Sequence, residues 1–105
     1  MNGDRAYVSR LIDIYGSALS ERQKDVVDLY YNEDLSLAEI SENCGITRQG
    51  VRDAIRHGVE TLKSLESALG FEVKLQRISE LASEIKQNGD IDEIKRLAES
   101  IIGEL

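Results

Sequence analysis

Three arginines spaced four apart, Arg48, Arg52 and Arg56, share one helical face with Gln49 and Asp53. These residue types read nucleic acid. A guanidinium bonds the paired acceptors of guanine or holds a phosphate, a carboxamide matches adenine, and a carboxylate accepts from cytosine or orients an arginine. Arg48 and Gln49 are therefore the candidates for base edges. Arg52 and Arg56 would hold phosphates or read further along, and Asp53 would meet cytosine or steady an arginine. Such a set works only on the outer face of a helix that other elements hold in a groove.

The surrounding stretch, Ser36 to His57, SLAEISENCGITRQGVRDAIRH, has the punctuation to provide that support. Ser36 with Glu39 three residues on is a capping box, so a short helix starts at Leu37. Leu37, Ile40 and Cys44 make its inward face, and Ser41 is small enough for a second helix to cross close over it. Gly45 supplies the left-handed backbone that ends a helix without steric cost. Ile46 plugs the corner and Thr47 caps the next helix, where Val51 and Ile55 turn inward and leave the polar set facing out. This is the pattern of a helix-turn-helix, although two capped helices joined by a tight turn also occur in plain bundles. Ser36 and Thr47, at the openings of the two helices, complete the DNA-facing set. Ser36 would bring helix-opening amides to a backbone phosphate.

The remaining elements follow from apolar spacing. Tyr7, Leu11, Ile14 and Ala18, broadened by Val8, Ile12 and Tyr15, predict a first helix from Asp4 to Ala18. Ser20 and Gln23 form a second capping box before a helix that reaches about Tyr31 and buries some combination of Val26, Val27, Leu29 and Tyr30. The cluster Asn32, Glu33, Asp34 ends it. The adjacent Tyr30 and Tyr31 have the chemistry of a base-stacking platform, but a pair at a helix end more often divides between core and rim. Val51, Ile55, Gly58, Leu62, Leu65 and Leu69 then repeat four, three, four, three, four, so the reading helix continues from Thr47 to Leu69, roughly 34 Å. Gly58 in that seam permits a close crossing or a bend. Phe71, Leu75, Ile78, Ala82 and Ile85 predict a further helix ended by Asn88 and Gly89. Asp90 with Glu93 caps a last one carrying Ile91, Ile94, Ala98, Ile101 and Leu105, and the two should form a helical hairpin.

Composition agrees with an all-α chain. Its 105 residues contain no proline and five aromatics, four tyrosines and one phenylalanine, and no stretch alternates with the period of a strand. The length suits one domain with a modest core: residues 1–70 as the helix-turn-helix domain and 71–105 as a helical extension packing on it or on a second subunit. Surplus apolar face on such a small chain predicts a homodimer. Cys44 is the one cysteine and His57 the one histidine, too few for a nucleophile with its base or for a metal with nitrogen and sulfur ligands. There is no glycine-rich phosphate loop, so no enzymatic activity and no cofactor are expected. No apolar run approaches a membrane span, and the opening residues are too charged for a secretory signal, so a cytoplasmic protein without membrane insertion is expected. Net charge is −7, which argues against a general nucleic-acid coat protein. The distribution is uneven. Residues 48–57 hold three arginines against Asp53, +2, whereas residues 58–105 hold six basic and ten acidic side chains, −4. A weakly charged binder gains affinity by dimerising.

The segments LIDIYGSALSERQ, DLYYNEDLSLAEIS, ITRQGVRDAIR and LKSLESALGF, in that order, resemble the YlxM-like family of small bacterial helix-turn-helix proteins. The likeness covers roughly Tyr7 to Phe71, with LYY, SLAEI and TRQGV its most specific runs. Gly50 stands where the family usually has alanine, and Arg52 and Gly58 where tyrosine and a polar residue are commoner. The resemblance implies a fold akin to the promoter-reading C-terminal domain of bacterial sigma factors (region 4) and a Gram-positive cytoplasmic origin. It also implies a part in the signal recognition particle pathway, because the family is encoded beside that particle's protein subunit. Two functions follow as expectations. One is a dimeric regulator binding double-stranded DNA; the other is an adaptor whose acidic tail or long helix binds signal recognition particle components.

Overall fold

The structure is a computed structural model that describes residues 5–105. The predicted start of the first helix at Asp4 lies outside the described residues. Among them the chain forms six α-helices and no strand: α1 (Arg5–Tyr15), α2 (Glu21–Tyr31), α3 (Leu37–Cys44), α4 (Arg48–Leu69), α5 (Phe71–Gln87) and α6 (Ile91–Glu104). A short 3-10 turn, Gly16–Ala18, follows α1. The chain divides into two compact units, Met1–Leu69 and Gly70–Leu105.

In the first unit, α1, α2 and α3 all pack on α4. Two apolar clusters result. Val8, Leu11, Ile12, Tyr15 and Leu19 gather with Val27 and Leu62 in one; Val26, Ile40, Val51 and Ile55 form the other. The neighbouring β-branched residues Val26 and Val27 point to opposite clusters, so α2 is the wall between them. Helix α4 spans both, which explains why it runs 22 residues where a reading helix alone needs only a few turns. Its first half closes the cluster behind α3, and its second half packs on α1.

In the first unit the sequence stripes are off centre in two places. Helix α1 buries Val8, Leu11, Ile12 and Tyr15, while Tyr7 and Ile14 are half-buried and Ala18 is exposed, because the helix ends at Tyr15 and the turn aims Ala18 outward. At the far end of α4 the buried position is Glu66, not Leu65 or Leu69. The Tyr15 hydroxyl donates to Glu66 Oε1 at 2.7 Å, so a buried acid is held by a phenol from another helix. Leu65 is half-buried and Leu69 exposed.

Gly58 is a crossing point. A Cβ there would lie 2.9 Å from Val27 Cγ1, inside contact distance, and Val27 is fully buried with no room to turn aside. Gly58→Ala is therefore expected to destabilise the protein. Overpacking strain of about 1–3 kcal/mol exceeds the propensity gain of about 0.5–1 kcal/mol from removing a mid-helix glycine. Thermal melts of Gly58→Ala with and without Val27→Ala check this, and the loss caused by the alanine should shrink when Val27 is shortened.

In the second unit α5 and α6 pack on each other as a hairpin. Leu81 and Leu97 are its buried apolar side chains, flanked by the half-buried Ile78, Ile85, Ile94, Ala98 and Ile101. Phe71, Leu75, Ile91 and Leu105 of the expected stripes are exposed, as is Ala82, and Ile102, outside them, is exposed too. Asp90 caps α6 by accepting from the amides of Asp92 and Glu93 at 2.9 and 3.4 Å, but its own amide bonds Asn88 Oδ1 at 2.9 Å, so Glu93 does not complete a box.

Candidate nucleic-acid interface

Helix α3, its turn and the start of α4 are built as their residues dictate. Ser36 Oγ accepts from the Glu39 amide at 3.1 Å and the Glu39 carboxylate accepts from the Ser36 amide at 3.0 Å, a complete capping box. At Ser20 only half of such a box forms: its hydroxyl accepts from the Gln23 amide at 3.2 Å. Gly45 adopts φ 68°, ψ 33°, the left-handed conformation that ends α3. Ser41 does more than leave room, because its hydroxyl donates to the Ile46 carbonyl and ties the end of the turn back to α3. Thr47 Oγ1 accepts from the Gly50 amide at 2.9 Å and opens α4. Ile40, Val51 and Ile55 are buried between the two helices, with Leu37, Cys44 and Ile46 packed against them.

Ser36, Thr47, Arg48, Gln49, Arg52 and Arg56 are all exposed, and Asp53 is half-exposed. The four-residue spacing places the arginines in one row along the first turns of α4. Asp53 organises that row: its Oδ1 accepts from Gln49 Nε2 at 3.1 Å and from an Arg56 guanidinium nitrogen at 3.3 Å. Arg52 has no ion-pair partner among the described residues. At Ser36 the Glu39 carboxylate already occupies the serine amide, which leaves the hydroxyl and the next amides of α3 at that helix opening.

That box also carries a pH dependence. The hydrogen bond from the Ser36 amide, and after it the one involving the Ser36 side chain, hold the Glu39 carboxyl below its ordinary value of 4.5. A carboxylate whose value is lowered on folding stabilises the fold above its unfolded value, and that stabilisation is lost as pH falls through the folded value. Thermal melts of wild type and Glu39→Gln should therefore differ at about pH 7 and converge as pH falls below 4.5 and through the folded value.

The tyrosine pair is tied down. The rings of Tyr30 and Tyr31 meet edge to face with centroids 5.0 Å apart, and the Arg5 guanidinium lies 4.9 and 5.4 Å from them. Arg5 also donates to the Tyr30 carbonyl and pairs with Asp34 Oδ1 at 3.0 Å. Asp34 takes a positive φ of 59°, the bend that turns the chain from α2 towards α3. Both rings are half-buried, dividing between core and rim. Neither the Arg5 clamp nor the Tyr15–Glu66 contact leaves a spacing signal, since each joins residues far apart in the chain.

Among the described residues no helix is long and apolar enough to cross a membrane, and no cluster of three or more histidine, cysteine, aspartate or glutamate side chains is placed to hold a metal ion.

Comparison with known proteins extends the likeness beyond the motifs. The UPF0122 protein of Desulforamulus reducens is 42% identical over 78 residues, covering 74% of this chain and 67% of its own. That of Clostridium perfringens is 38% identical over 107 aligned residues, covering 97% and 96%, and that of Clostridium kluyveri is 44% identical over 77, covering 73% and 69%. A family profile described as "Putative helix-turn-helix protein, YlxM / p13 like" matches residues 2–101. The family likeness therefore runs through α5 and most of α6, past the Tyr7 to Phe71 region where the specific motifs lie. With α3, its left-handed turn and α4 built as a helix-turn-helix, and with the profile spanning nearly its whole length, the chain belongs to the UPF0122, YlxM / p13-like family.

Proposed function

We propose that this protein is a non-enzymatic, cytoplasmic DNA-binding regulator that lays the first turns of α4 in the major groove of a duplex. The observation that carries the reading is the exposed arginine row on a helix whose opposite side, Val51 and Ile55, is buried against α3. Arg48 and Gln49 contact base edges, Arg52 and Arg56 hold phosphates, and Asp53 sets the Arg56 and Gln49 side chains. Ser36 and Thr47 face the backbone at the helix openings. The working form is a homodimer joined through residues 71–105. The exposure of Leu75 (53%), Ile91 (69%) and Ile102 (68%) on the hairpin supports this, because a two-helix unit that buries only two leucines leaves apolar area for a second copy to bury.

Fluorescence-anisotropy titration against a random duplex pool at several salt concentrations tests the proposal. With Arg52 and Arg56 of both subunits on phosphate, about four counterions are released and the slope of log K against log salt is about −3.6. No duplex binding at low salt, or binding indifferent to salt, would reject it.

A second reading draws on the charge of residues 70–105, five basic against eight acidic, together with the same exposed apolar side chains. On that reading the hairpin is the working surface, and the protein is an adaptor for basic components of the signal recognition particle. Binding of the purified particle protein that survives nuclease and is lost in Leu75→Gln, Ile102→Gln would favour it over the DNA reading.

A further inference from the structure

Behind the arginine row lies a cavity of about 560 Å³, within the size range of small-ligand sites of about 300–1,000 Å³. Its floor is apolar and aromatic, formed by Tyr30, Tyr31, Ile55 and Val59. Its mouth carries Arg52 and Lys63, eleven residues apart on α4, and neither has an ion-pair partner among the described residues. Two further groups at the mouth, Asp53 and Arg56, already pair with each other at 3.3 Å, and Glu60 is the other acid of the lining, against the two cations Arg52 and Lys63. An apolar recess with two unpaired cations at its rim lacks a negative charge attached to an apolar body.

We propose that this cavity binds a small amphipathic anion, an aromatic or acyl group bearing a carboxylate, sulfonate or phosphate. The apolar part packs against the tyrosines and Val59 while the acidic group lies in the positive field of the rim that Arg52 and Lys63 carry. Arg52 belongs also to the face assigned to DNA phosphate. Where that assignment holds, the anion and the duplex compete for one guanidinium, and the site makes the regulator responsive to a metabolite. The ligand site itself does not depend on the DNA reading.

The test uses the full chain and two matched probes, the anionic 1-anilinonaphthalene-8-sulfonate and its uncharged counterpart N-phenyl-1-naphthylamine. Amide shifts in a nitrogen-15 correlation spectrum should move at Tyr30, Tyr31 and residues 52–63 with the anionic probe. Arg52→Gln, Lys63→Gln changes two exposed side chains, and circular dichroism confirms that the variant stays folded. It should weaken the sulfonate by about tenfold or more and the neutral probe by less than about twofold. Shifts confined to residues 71–105, no saturable binding, or equal weakening of both probes would overturn the proposal. A duplex titration alongside separates the two readings. Displacement of duplex by the anion supports both. Anion binding by a protein that binds no duplex keeps the cavity site and removes the DNA assignment.

Discussion

Leu62→Ala is expected to lower the stability of the folded protein by about 2–5 kcal/mol, read as the shift in a urea midpoint at constant slope. Leu62 is fully buried at the place where α1, α2 and the second half of α4 meet, with Leu11, Tyr15 and Val27 among its cluster. Truncation removes three carbon atoms from that junction. The walls cannot collapse to fill the space, because the Gly58 crossing already holds α2 against α4 with no slack and the Tyr15–Glu66 hydrogen bond fixes α1 beside them. The loss is a large part of the about 5–15 kcal/mol that holds an ordinary domain together. An unchanged midpoint would mean that Leu62 does not hold the junction of α1, α2 and α4 together.

The second large effect is on binding. Arg48→Ala with Arg52→Ala should lower affinity for a selected duplex by about 2–6 kcal/mol per half-site, taking about 1–3 kcal/mol for each lost contact. The two arginines should differ in kind. Loss of Arg48 relaxes the sequence preference at one base pair of each half-site, whereas loss of Arg52 weakens all duplexes alike and, with one phosphate contact gone from each subunit, reduces the salt slope by about 1.8. Both side chains are exposed and neither supports the core, so unchanged melting curves would assign the loss to the interface. Wild-type affinity in the double variant would remove this face from the function.

Local chemistry made the helix-turn-helix legible. A capping box, a glycine with positive φ and a threonine cap each act over three or four residues, and all three stand at Ser36, Gly45 and Thr47 as their side chains require. The all-α class and the hairpin at the C-terminal end followed from apolar spacing in the same way. Spacing failed where a helix meets neighbours at more than one angle. Helix α1 is covered on two sides, so its buried set contains the adjacent pair Leu11 and Ile12, and α4 rotates its seam to place Glu66 under Tyr15. In α5 the fully covered apolar residue is Leu81, outside the predicted stripe, because a single partner helix covers a narrow strip and leaves Leu75 in the open. The cavity was illegible for a related reason. Tyr30 and Tyr31 come from the end of α2 and Lys63 from the fifth turn of α4, and only the folded chain brings them to one recess.

The Tyr15–Glu66 hydrogen bond also bears on the order of events in folding. It joins residues 51 apart, whereas each cap closes over three. Loop-closure entropy makes the long connection costlier by on the order of 2 kcal/mol, so it forms after the caps and after α3 has met α4. Helix α1 is thus expected to dock late, onto a helix-turn-helix that is already assembled. Loosening α1 should shorten the lifetime of the native state and leave the rate of reaching it nearly unchanged.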